Sequence, residues 1–269
     1  MKGACDTHFH VFGPPDRYPA RDPKIRYKPP YAPLEDYLAH ARPMGFERFV
    51  FVQPSAYLRD NSCMLDAMRA MRAMPGCRGI VDVDENAPDA ELDSMHKLGV
   101  RGVRVNVSPI HPPEPGLAQQ LLPRVERLEA RCAELGWHLD FLLPGWLTSA
   151  LLEKIDRLKV ESTIAHMGMF LAKDGPKQPG FQRLLKSRCW VKLTGVYRMS
   201  QAPGFADAAP MARALIEAKA DRLIWGSDYP HLSFADKVTS EKLFELFKGW
   251  AGDEAKRILV DNPQKLFGF

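Results

Sequence analysis

The chain has 269 residues, of which 45% are hydrophobic and 26% are charged, and its formal net charge is +4. This composition is typical of a globular protein with a sizeable core, and it excludes the fibrous, disordered and disulfide-scaffold classes. Basic and acidic residues are interspersed, so no basic stripe indicates nucleic acid and no charged tail indicates a membrane surface.

Short β-rich runs alternate with helical stretches along the chain, which is the pattern of parallel β/α units. The eight predicted strands are Ala4–His10, Phe46–Pro54, Arg78–Asp84, Val100–Val107, Trp137–Leu143, Ser162–Gly168, Trp190–Gly195 and Arg222–Asp228. The predicted helices between and after them are Leu34–Arg42, Ser62–Met74, Pro88–Leu98, Leu117–Leu135, Leu147–Leu158, Gly180–Lys186, Asp207–Ala220 and Ala235–Trp250.

Eight such units in roughly 250 residues are what a (β/α)8 TIM barrel requires. We therefore predict an α/β protein, a single barrel domain spanning residues 1–269, with an extra C-terminal helix within Gly252–Phe269. A doubly wound open sheet is the alternative. It is disfavoured because the first strand leads into His8-Phe9-His10-Val11-Phe12-Gly13 and not into a glycine-rich phosphate turn.

Polar side chains mark the carboxyl ends of three predicted strands. In the first strand Asp6, His8 and His10 are two residues apart, so they share one face, which we expect to point into the barrel. Two such imidazoles can bind one metal ion or polarise one carbonyl oxygen. The sixth strand ends near His166 and the eighth at Asp228. All these groups meet at one end of a parallel barrel, so they predict a site there.

The fourth strand carries a second signal. Three valines share one face, so Arg104 and Asn106 share the other and are expected to face the barrel mouth. A buried arginine needs an anionic partner, and a substrate carboxylate can supply one through two parallel hydrogen bonds. A structural ion pair with Asp84 or Asp140 is the alternative.

These motifs together resemble the amidohydrolase superfamily, in its amidohydrolase-2 branch. They are the H-x-H within Asp6–Gly13, the single His166, and the Trp-Gly-Ser-Asp-Tyr-Pro-His run of Trp225–His231. More narrowly, the chain is similar to the 2-pyrone-4,6-dicarboxylate lactonase group over nearly its whole length. Further matching segments are 52–55, 99–106, 190–195 and 262–269.

The resemblance implies a hydrolase of aromatic or sugar-acid breakdown that opens a carboxylated lactone. By this analogy Asp228 takes the proton from the attacking water while His8, His10 and His166 polarise the ring carbonyl. The resemblance also assigns substrate carboxylates to one set of side chains, namely Arg104, Tyr27, Ser55 and Arg198. We add Asn106, which shares the face of Arg104, and His231, which follows Asp228 closely enough to touch substrate or orient the base. The lactonase pattern has a second arginine where this chain has Ile110.

The resembled lactonases imply that no metal is obligatory, although the cluster of His8, His10, His166 and Asp228 could hold one Zn²⁺ or another divalent metal. Two alternatives on the same site are a zinc-dependent decarboxylase and a lactone isomerase. An alternative of another class is a non-catalytic barrel that binds an anion. The expected partner is a small anionic lactone, without nucleic acid or membrane, and a homo-oligomer is compatible with the sequence.

The five cysteines are widely spaced and form no C-x-x-C pair, which favours reduced structural thiols. The first residues contain no apolar leader run, and no stretch approaches the ~18 apolar residues of a spanning helix. We therefore expect a cytoplasmic protein.

Overall fold

The computed structural model describes residues 1–25, 27–71 and 76–269. Its described strands form one parallel eight-stranded sheet that runs in chain order from β1 to β8. They are β1 (Cys5–Phe9), β2 (Arg48–Val52), β3 (Cys77–Val81), β4 (Val100–Asn106), β5 (His138–Leu142), β6 (Ser162–Ile164), β7 (Trp190–Leu193) and β8 (Leu223–Trp225). Beyond β8, Tyr229 forms a parallel bridge with Phe9 of β1. The sheet therefore returns to its first strand, which confirms the predicted (β/α)8 barrel.

Helices connect successive strands, as the crossover rule for parallel sheets requires. The described α-helices are α1 (Leu34–Ala41), α2 (Ser62–Ala70), α3 (Asp89–Leu98), α4 (Leu117–Leu135), α5 (Gly145–Asp156), α6 (Pro179–Lys186), α7 (Ala209–Lys219), α8 (Ser240–Ala251) and α9 (Asn262–Phe267). The last three positions of the predicted helix Ser62–Met74 lie outside the described residues. Among the helices in the described ranges, none combines the length and apolar character needed to cross a membrane.

Local chemistry moved two of the predicted boundaries. Helix α8 begins at Ser240 and not at Ala235, because the Thr239 hydroxyl caps it by accepting a hydrogen bond from the backbone N–H of Lys242 at 3.3 Å. Strand β6 ends at Ile164, four residues before the predicted end. His166 and Met167, which follow, have φ values of 51° and 47°, and this left-handed backbone cannot continue a strand.

A small apolar cluster fills the amino-terminal end of the barrel interior. Its buried members are Cys5, Val50, Val52, Ile80, Trp190, Ile224 and Phe267. Phe267 comes from α9, the extra C-terminal helix, and Arg78 of β3 donates a hydrogen bond to its backbone carbonyl at 2.9 Å. Burial of one such aromatic ring stabilises the fold by about 2 to 3 kcal/mol. The C-terminal segment thus closes one end of the barrel, and the polar interior side chains lie towards the other.

Candidate active site

Strand β1 and the residue after it place His8 and His10 in the barrel interior, whereas Asp6 of the same strand points elsewhere. A register shift interrupts its pairing with β2 after Asp6. The Asp6 carboxylate consequently accepts hydrogen bonds from the Tyr37 hydroxyl of α1 and from the backbone N–H of Ser227, both at 3.0 Å. The expectation that Asp6 shares the inner face with His8 and His10 is therefore wrong, because simple alternation does not hold across the irregularity.

Asp228 lies at the centre of the cluster, after β8, and is fully buried. Its Oδ1 lies 3.5 Å from Nε2 of His8 and 3.4 Å from Nε2 of His10, and its Oδ2 lies 3.8 Å from Nε2 of His166. Gly226 makes this approach feasible, because a Cβ at that position would stand only 2.5 Å from the backbone nitrogen of His8. The structure thus brings together all four residues to which the family resemblance gives catalytic roles.

The two oxygens of Asp228 have different surroundings. Oδ2 accepts hydrogen bonds from the Tyr197 hydroxyl at 2.6 Å and from Nε of Arg198 at 3.0 Å. Oδ1 has no hydrogen-bond partner among the described residues. Burial alone would raise the pKa of Asp228, but Arg198 together with the neighbouring histidines outweighs it and holds that pKa well below its usual value. Asp228 is therefore a carboxylate with one held oxygen and one oxygen available to a ligand.

The protonation of His10 follows from its backbone contact. Its Nδ1 lies 2.8 Å from the carbonyl oxygen of Val52, which can only accept a hydrogen bond. Burial lowers the pKa of His10, so the ring is neutral near pH 7 and carries its one proton on Nδ1. Nε2 then presents a lone pair towards Asp228. The polarising role expected of His10 does not fit this state, because a neutral His10 accepts and does not donate at Nε2.

His8 has a different partner, a buried lysine on β7. Nζ of Lys192 lies 3.3 Å from Nδ1 of His8 and 2.6 Å from Oδ1 of Asp140 on β5. Asp140 also accepts a hydrogen bond from the Thr163 hydroxyl on β6. Burial would raise the pKa of Asp140, but Lys192, Arg104 and the Thr163 hydroxyl together outweigh it and bring that pKa to about 2. Burial lowers the pKa of Lys192 and the charge of Asp140 opposes that shift, so the ion pair at 2.6 Å favours a charged Lys192 beneath the histidines.

His166 is held by the turns around it. Its Nδ1 lies 2.7 Å from the Thr194 hydroxyl, which orients the ring. A Cβ on Gly195 would stand 2.5 Å from that same nitrogen, and the φ of Gly195 is +60°, so only glycine fits there without displacing the imidazole. Burial lowers the pKa of His166 to about 3, so this ring is also neutral at neutral pH.

Arg104 faces the barrel interior, as the alternation of β4 predicted, and is buried. One of its N–H groups, on Nη1, donates to the backbone carbonyl of Gln53 at 2.6 Å, and its Nε lies 3.9 Å from Oδ2 of Asp140. The alternative of an ion pair with Asp140 is thus present, but Nε itself has no hydrogen-bond partner among the described residues. Asn106, on the same face, likewise has a buried Oδ1 without a described partner.

Tyr27 and Ser55 come together although they lie on different loops. The Tyr27 hydroxyl lies 3.2 Å from Oγ of Ser55 and accepts a hydrogen bond from the backbone N–H of Ala56 at 3.2 Å. Burial raises the pKa of Tyr27, and the positive charges of Arg104 and Arg198 act in the opposite direction. The guanidinium groups of Arg104 and Arg198 are therefore close enough to the Tyr27 hydroxyl to affect its pKa.

His231 is buried beside the cluster, with Nε2 3.2 Å from the Ser240 hydroxyl of α8. Burial lowers its pKa to about 4. The contact with Ser240 orients the ring, and Asp228 lies near enough to act on its titration. The structure therefore places His231 next to the site and gives one of its nitrogens a protein partner.

Sequence reasoning missed the site residues Lys192, Tyr197, Thr163 and Thr194, and it considered Asp140 only as a partner of Arg104. A signal for Lys192 was present, since alternation along β7 places Trp190, Lys192 and Thr194 on one face. The partnership of Lys192 with Asp140 depends on the neighbourhood of two strands that are distant in sequence. No local sequence pattern predicts the contact of Tyr197 with Asp228, because that contact depends on the turn that follows β7.

One group of described residues has the spacing of a metal site. His8, His10 and Asp228 each offer one ligand atom, and these atoms lie within 4.8 Å of one another. His10 is in the correct tautomer for a ligand, because its other nitrogen donates to a backbone carbonyl. His8 is in the wrong tautomer for a ligand. Its Nδ1 faces the ammonium of Lys192, so its proton belongs on Nε2, the nitrogen that would have to bind the ion.

Comparison with known proteins identifies the family of the chain. The Amidohydrolase family model matches residues 5–269. A 4-sulfomuconolactone hydrolase of Hydrogenophaga intermedia is 35% identical, over 99% of this chain and 89% of that protein. A 2-pyrone-4,6-dicarboxylate hydrolase of Comamonas testosteroni is 30% identical, over 98% of this chain and 90% of that protein.

A comparison of structures finds proteins with the same names. The crystal structure of a candidate 2-pyrone-4,6-dicarboxylic acid hydrolase of Pseudomonas putida superposes with a TM-score of 0.84 at 33% identity, and the match covers 100% of this chain and 98% of that one. The chain belongs to the amidohydrolase family, as the motifs at the ends of its first, sixth and eighth strands predicted.

Proposed function

We propose that this member of the amidohydrolase family is a hydrolase that opens a carboxylated or similarly anionic lactone by the attack of water. One observation carries the proposal. The buried carboxylate of Asp228 is fixed through Oδ2 by Tyr197 and Arg198, while its Oδ1 faces His8 and His10 without a hydrogen-bond partner among the described residues. Such a carboxylate is suited to act as a general base.

The position of the attacking water follows from two acceptors. Oδ1 of Asp228 lies 3.4 Å from Nε2 of His10, and in the assigned tautomer of His10 neither atom carries a proton. A water molecule has two protons and can donate one to each. Its own lone pair then remains for attack on the lactone carbonyl carbon. This arrangement supports Asp228 as the base and His10 as a second holder of the nucleophile.

The chemical step balances with these groups. The water oxygen bonds to the carbonyl carbon as Asp228 takes a proton, and negative charge develops on the carbonyl oxygen. We propose that His8 and His166 polarise that oxygen, because a donor placed at a developing oxyanion contributes most in a site without bulk water. The bond from the carbonyl carbon to the ring oxygen then breaks, and the proton on Asp228 returns to the leaving oxygen. The product is an open-chain acid.

The charge of the site supports an anionic substrate. Nε of Arg104 is buried without a hydrogen-bond partner among the described residues, and the guanidinium of Arg198 lies on Oδ2 of Asp228 at the partly exposed side of the cluster. Such guanidinium groups can bind an acidic group of a ligand. Both named relatives act on lactones that carry acidic groups, sulfonate in one and carboxylates in the other. We propose the same substrate class here, with acidic groups held near Arg104, Arg198, Tyr27 and Ser55, and with Asn106 and His231 lining the same region.

We propose that turnover requires no metal. A catalytic zinc site uses three protein ligands. In the group of His8, His10 and Asp228, the contact with Lys192 puts a proton on the nitrogen of His8 that would bind the ion. No step of the reaction above depends on a metal, since neutral imidazoles supply the donor and acceptor positions.

A panel of substrates tests the proposal. Purified protein is assayed with 4-sulfomuconolactone, 2-pyrone-4,6-dicarboxylate, muconolactone and an aldarolactone, before and after exhaustive chelation, with products identified by mass spectrometry. We expect an anionic lactone to gain the mass of one water, at a rate unchanged by chelation. A product of unchanged mass would refute hydrolysis and indicate an isomerase. Release of carbon dioxide would refute it and indicate a decarboxylase. Loss of turnover on chelation with recovery on adding Zn²⁺ would refute the metal-free part alone.

A further inference from the structure

Lys192 is a buried cation held in a fixed position next to the catalytic cluster. It lies on the inner face of β7, fully inaccessible to solvent. Asp140 holds its Nζ at 2.6 Å and is itself held by the Thr163 hydroxyl. A buried ammonium is costly unless it is paired, and the pair could be replaced by apolar side chains at little cost in stability. Its position against Nδ1 of His8, at 3.3 Å, therefore points to a second purpose.

The contact between a charged Lys192 and Nδ1 of His8 fixes which nitrogen of His8 carries the proton. An ammonium group has three N–H donors and no acceptor, so Nδ1 of His8 must accept. The imidazole of His8 is neutral, because a second cation against Lys192 in a buried site is strongly disfavoured. A neutral ring that accepts at Nδ1 carries its one proton on Nε2. That nitrogen lies 3.5 Å from Oδ1 of Asp228 and is directed into the site.

The two histidines of the H-x-H motif are therefore in opposite tautomers. His10 donates from Nδ1 to the Val52 carbonyl and accepts at Nε2, whereas His8 accepts at Nδ1 and donates from Nε2. Two residues that look equivalent in the sequence thus form a donor and an acceptor on either side of one oxygen of Asp228. The acceptor suits the attacking water, and the donor suits the oxygen on which negative charge develops.

We propose that Lys192, anchored by Asp140, is a positioning residue that sets the tautomer of His8 and so makes His8 the donor to the lactone carbonyl. Lys192 acts through His8 and does not touch the substrate. The kinetic consequence rests on the proposed lactone hydrolysis. The tautomer of His8 does not, so it can be measured whatever the reaction is.

The first experiment uses the wild-type protein labelled with ¹⁵N in histidine. Two-bond correlation spectra report which ring nitrogen carries the proton, and comparison with His8→Gln and His10→Gln identifies the two signals. We expect the proton of His8 on Nε2 and that of His10 on Nδ1. A wild-type His8 protonated on Nδ1, or on both nitrogens at neutral pH, would overturn the proposal without any variant of Lys192.

The second experiment removes the pair together, as Lys192→Met with Asp140→Asn, because removing Lys192 alone leaves a buried carboxylate without its main partner. The matched control is Lys219→Met. Lys219 is another buried lysine, but its Nζ donates to the Leu184 and Ser187 carbonyls, and none of its hydrogen bonds involves a site residue.

In the folded double variant we expect His8 to lose its single tautomer and kcat to fall by about 10²-fold, the usual effect of losing one oxyanion donor. KM should change by less than about threefold, since ground-state binding is not involved. Lys219→Met should alter neither the His8 signal nor kcat. A double variant with wild-type kcat, or with an unchanged His8 tautomer, would refute the positioning role. If no lactone is turned over at all, the proposed function fails, and the His8 tautomer in the double variant then decides by itself whether Lys192 sets it.

Discussion

Three buried histidines should make the folded protein lose stability as the pH falls below neutrality. Burial lowers the pKa of His138 and of His231 to about 4, and that of His166 to about 3. The imidazole of an unfolded chain keeps its ordinary pKa of roughly 6.5. Between that pH and the folded pKa values, the unfolded chain binds protons that the folded chain does not, so acidification through this window favours unfolding.

The size of the effect follows from these pKa values. Between pH 8 and pH 5, each of the three histidines costs about 2 kcal/mol of unfolding free energy. Asp6 acts in the opposite direction, because burial raises its pKa to about 6 and the folded state then takes up a proton first. Its contribution on the same change is about 1.5 kcal/mol of added stability. These four groups give a net loss of about 4.5 kcal/mol, a large share of the 5 to 15 kcal/mol typical of folded proteins. Burial also lowers the pKa of His8 and of His10, so both add to the loss.

Urea unfolding at pH 8 and at pH 5 measures this loss, with His138→Leu as the diagnostic variant. His138 lies in the barrel interior with its ring 5.3 Å from that of Phe267, near the closed end of the barrel. The variant should lose about 2 kcal/mol less than wild type between the two pH values. Asp6→Asn should lose about 1.5 kcal/mol more, which controls for the sign. Equal unfolding free energies for wild type at both pH values, or equal losses for wild type and His138→Leu, would refute the reasoning.

Three further predictions concern the site. Tyr197→Phe removes a hydroxyl donor from Asp228, so the pKa of that carboxyl should rise and the acid limb of the kcat/KM profile should move up by about one pH unit; an unmoved limb would show that the bond does not tune the base. Gly195→Ala forces a Cβ against His166, and we expect kcat to fall at least about tenfold in a folded protein, as measured by steady-state kinetics with circular dichroism; wild-type kcat would contradict the geometry. Tyr27→Phe should raise KM about tenfold with little change in kcat, and the reverse pattern would place its hydroxyl in the chemical step instead.

The barrel was predictable because its signals are local and repeated. Each strand has an apolar face for the helices, and alternation along β4 correctly separated Val103 and Val105 from Arg104. The prediction that Asp6 faces the barrel interior was wrong for a local reason. Alternation assumes regular pairing, and the register shift in β1 turns Asp6 towards Tyr37 while His8 and His10 still face inward.

The candidate site was only partly predictable, because its chemistry depends on contacts between distant strands. His8, His166 and Asp228 stand at strand ends, where a sequence pattern can find them. Lys192 had the correct alternation, but its meaning depends on Asp140 from another strand. The opposite tautomers of the two H-x-H histidines have no sequence signal at all, since they are set by a backbone carbonyl on one side and an ammonium on the other.

The measurement that tests the central claim most directly compares wild type with Asp228→Asn on the anionic lactone that wild type turns over, with Asp253→Asn at an exposed position as the matched control. We predict that Asp228→Asn loses at least about 10³-fold in kcat while still binding the lactone in calorimetry, because the amide keeps the shape of the side chain but cannot take the proton of water. The control should keep wild-type kcat. Turnover by Asp228→Asn within about tenfold of wild type would contradict the assignment of Asp228 as the base, and with it the proposed attack of water.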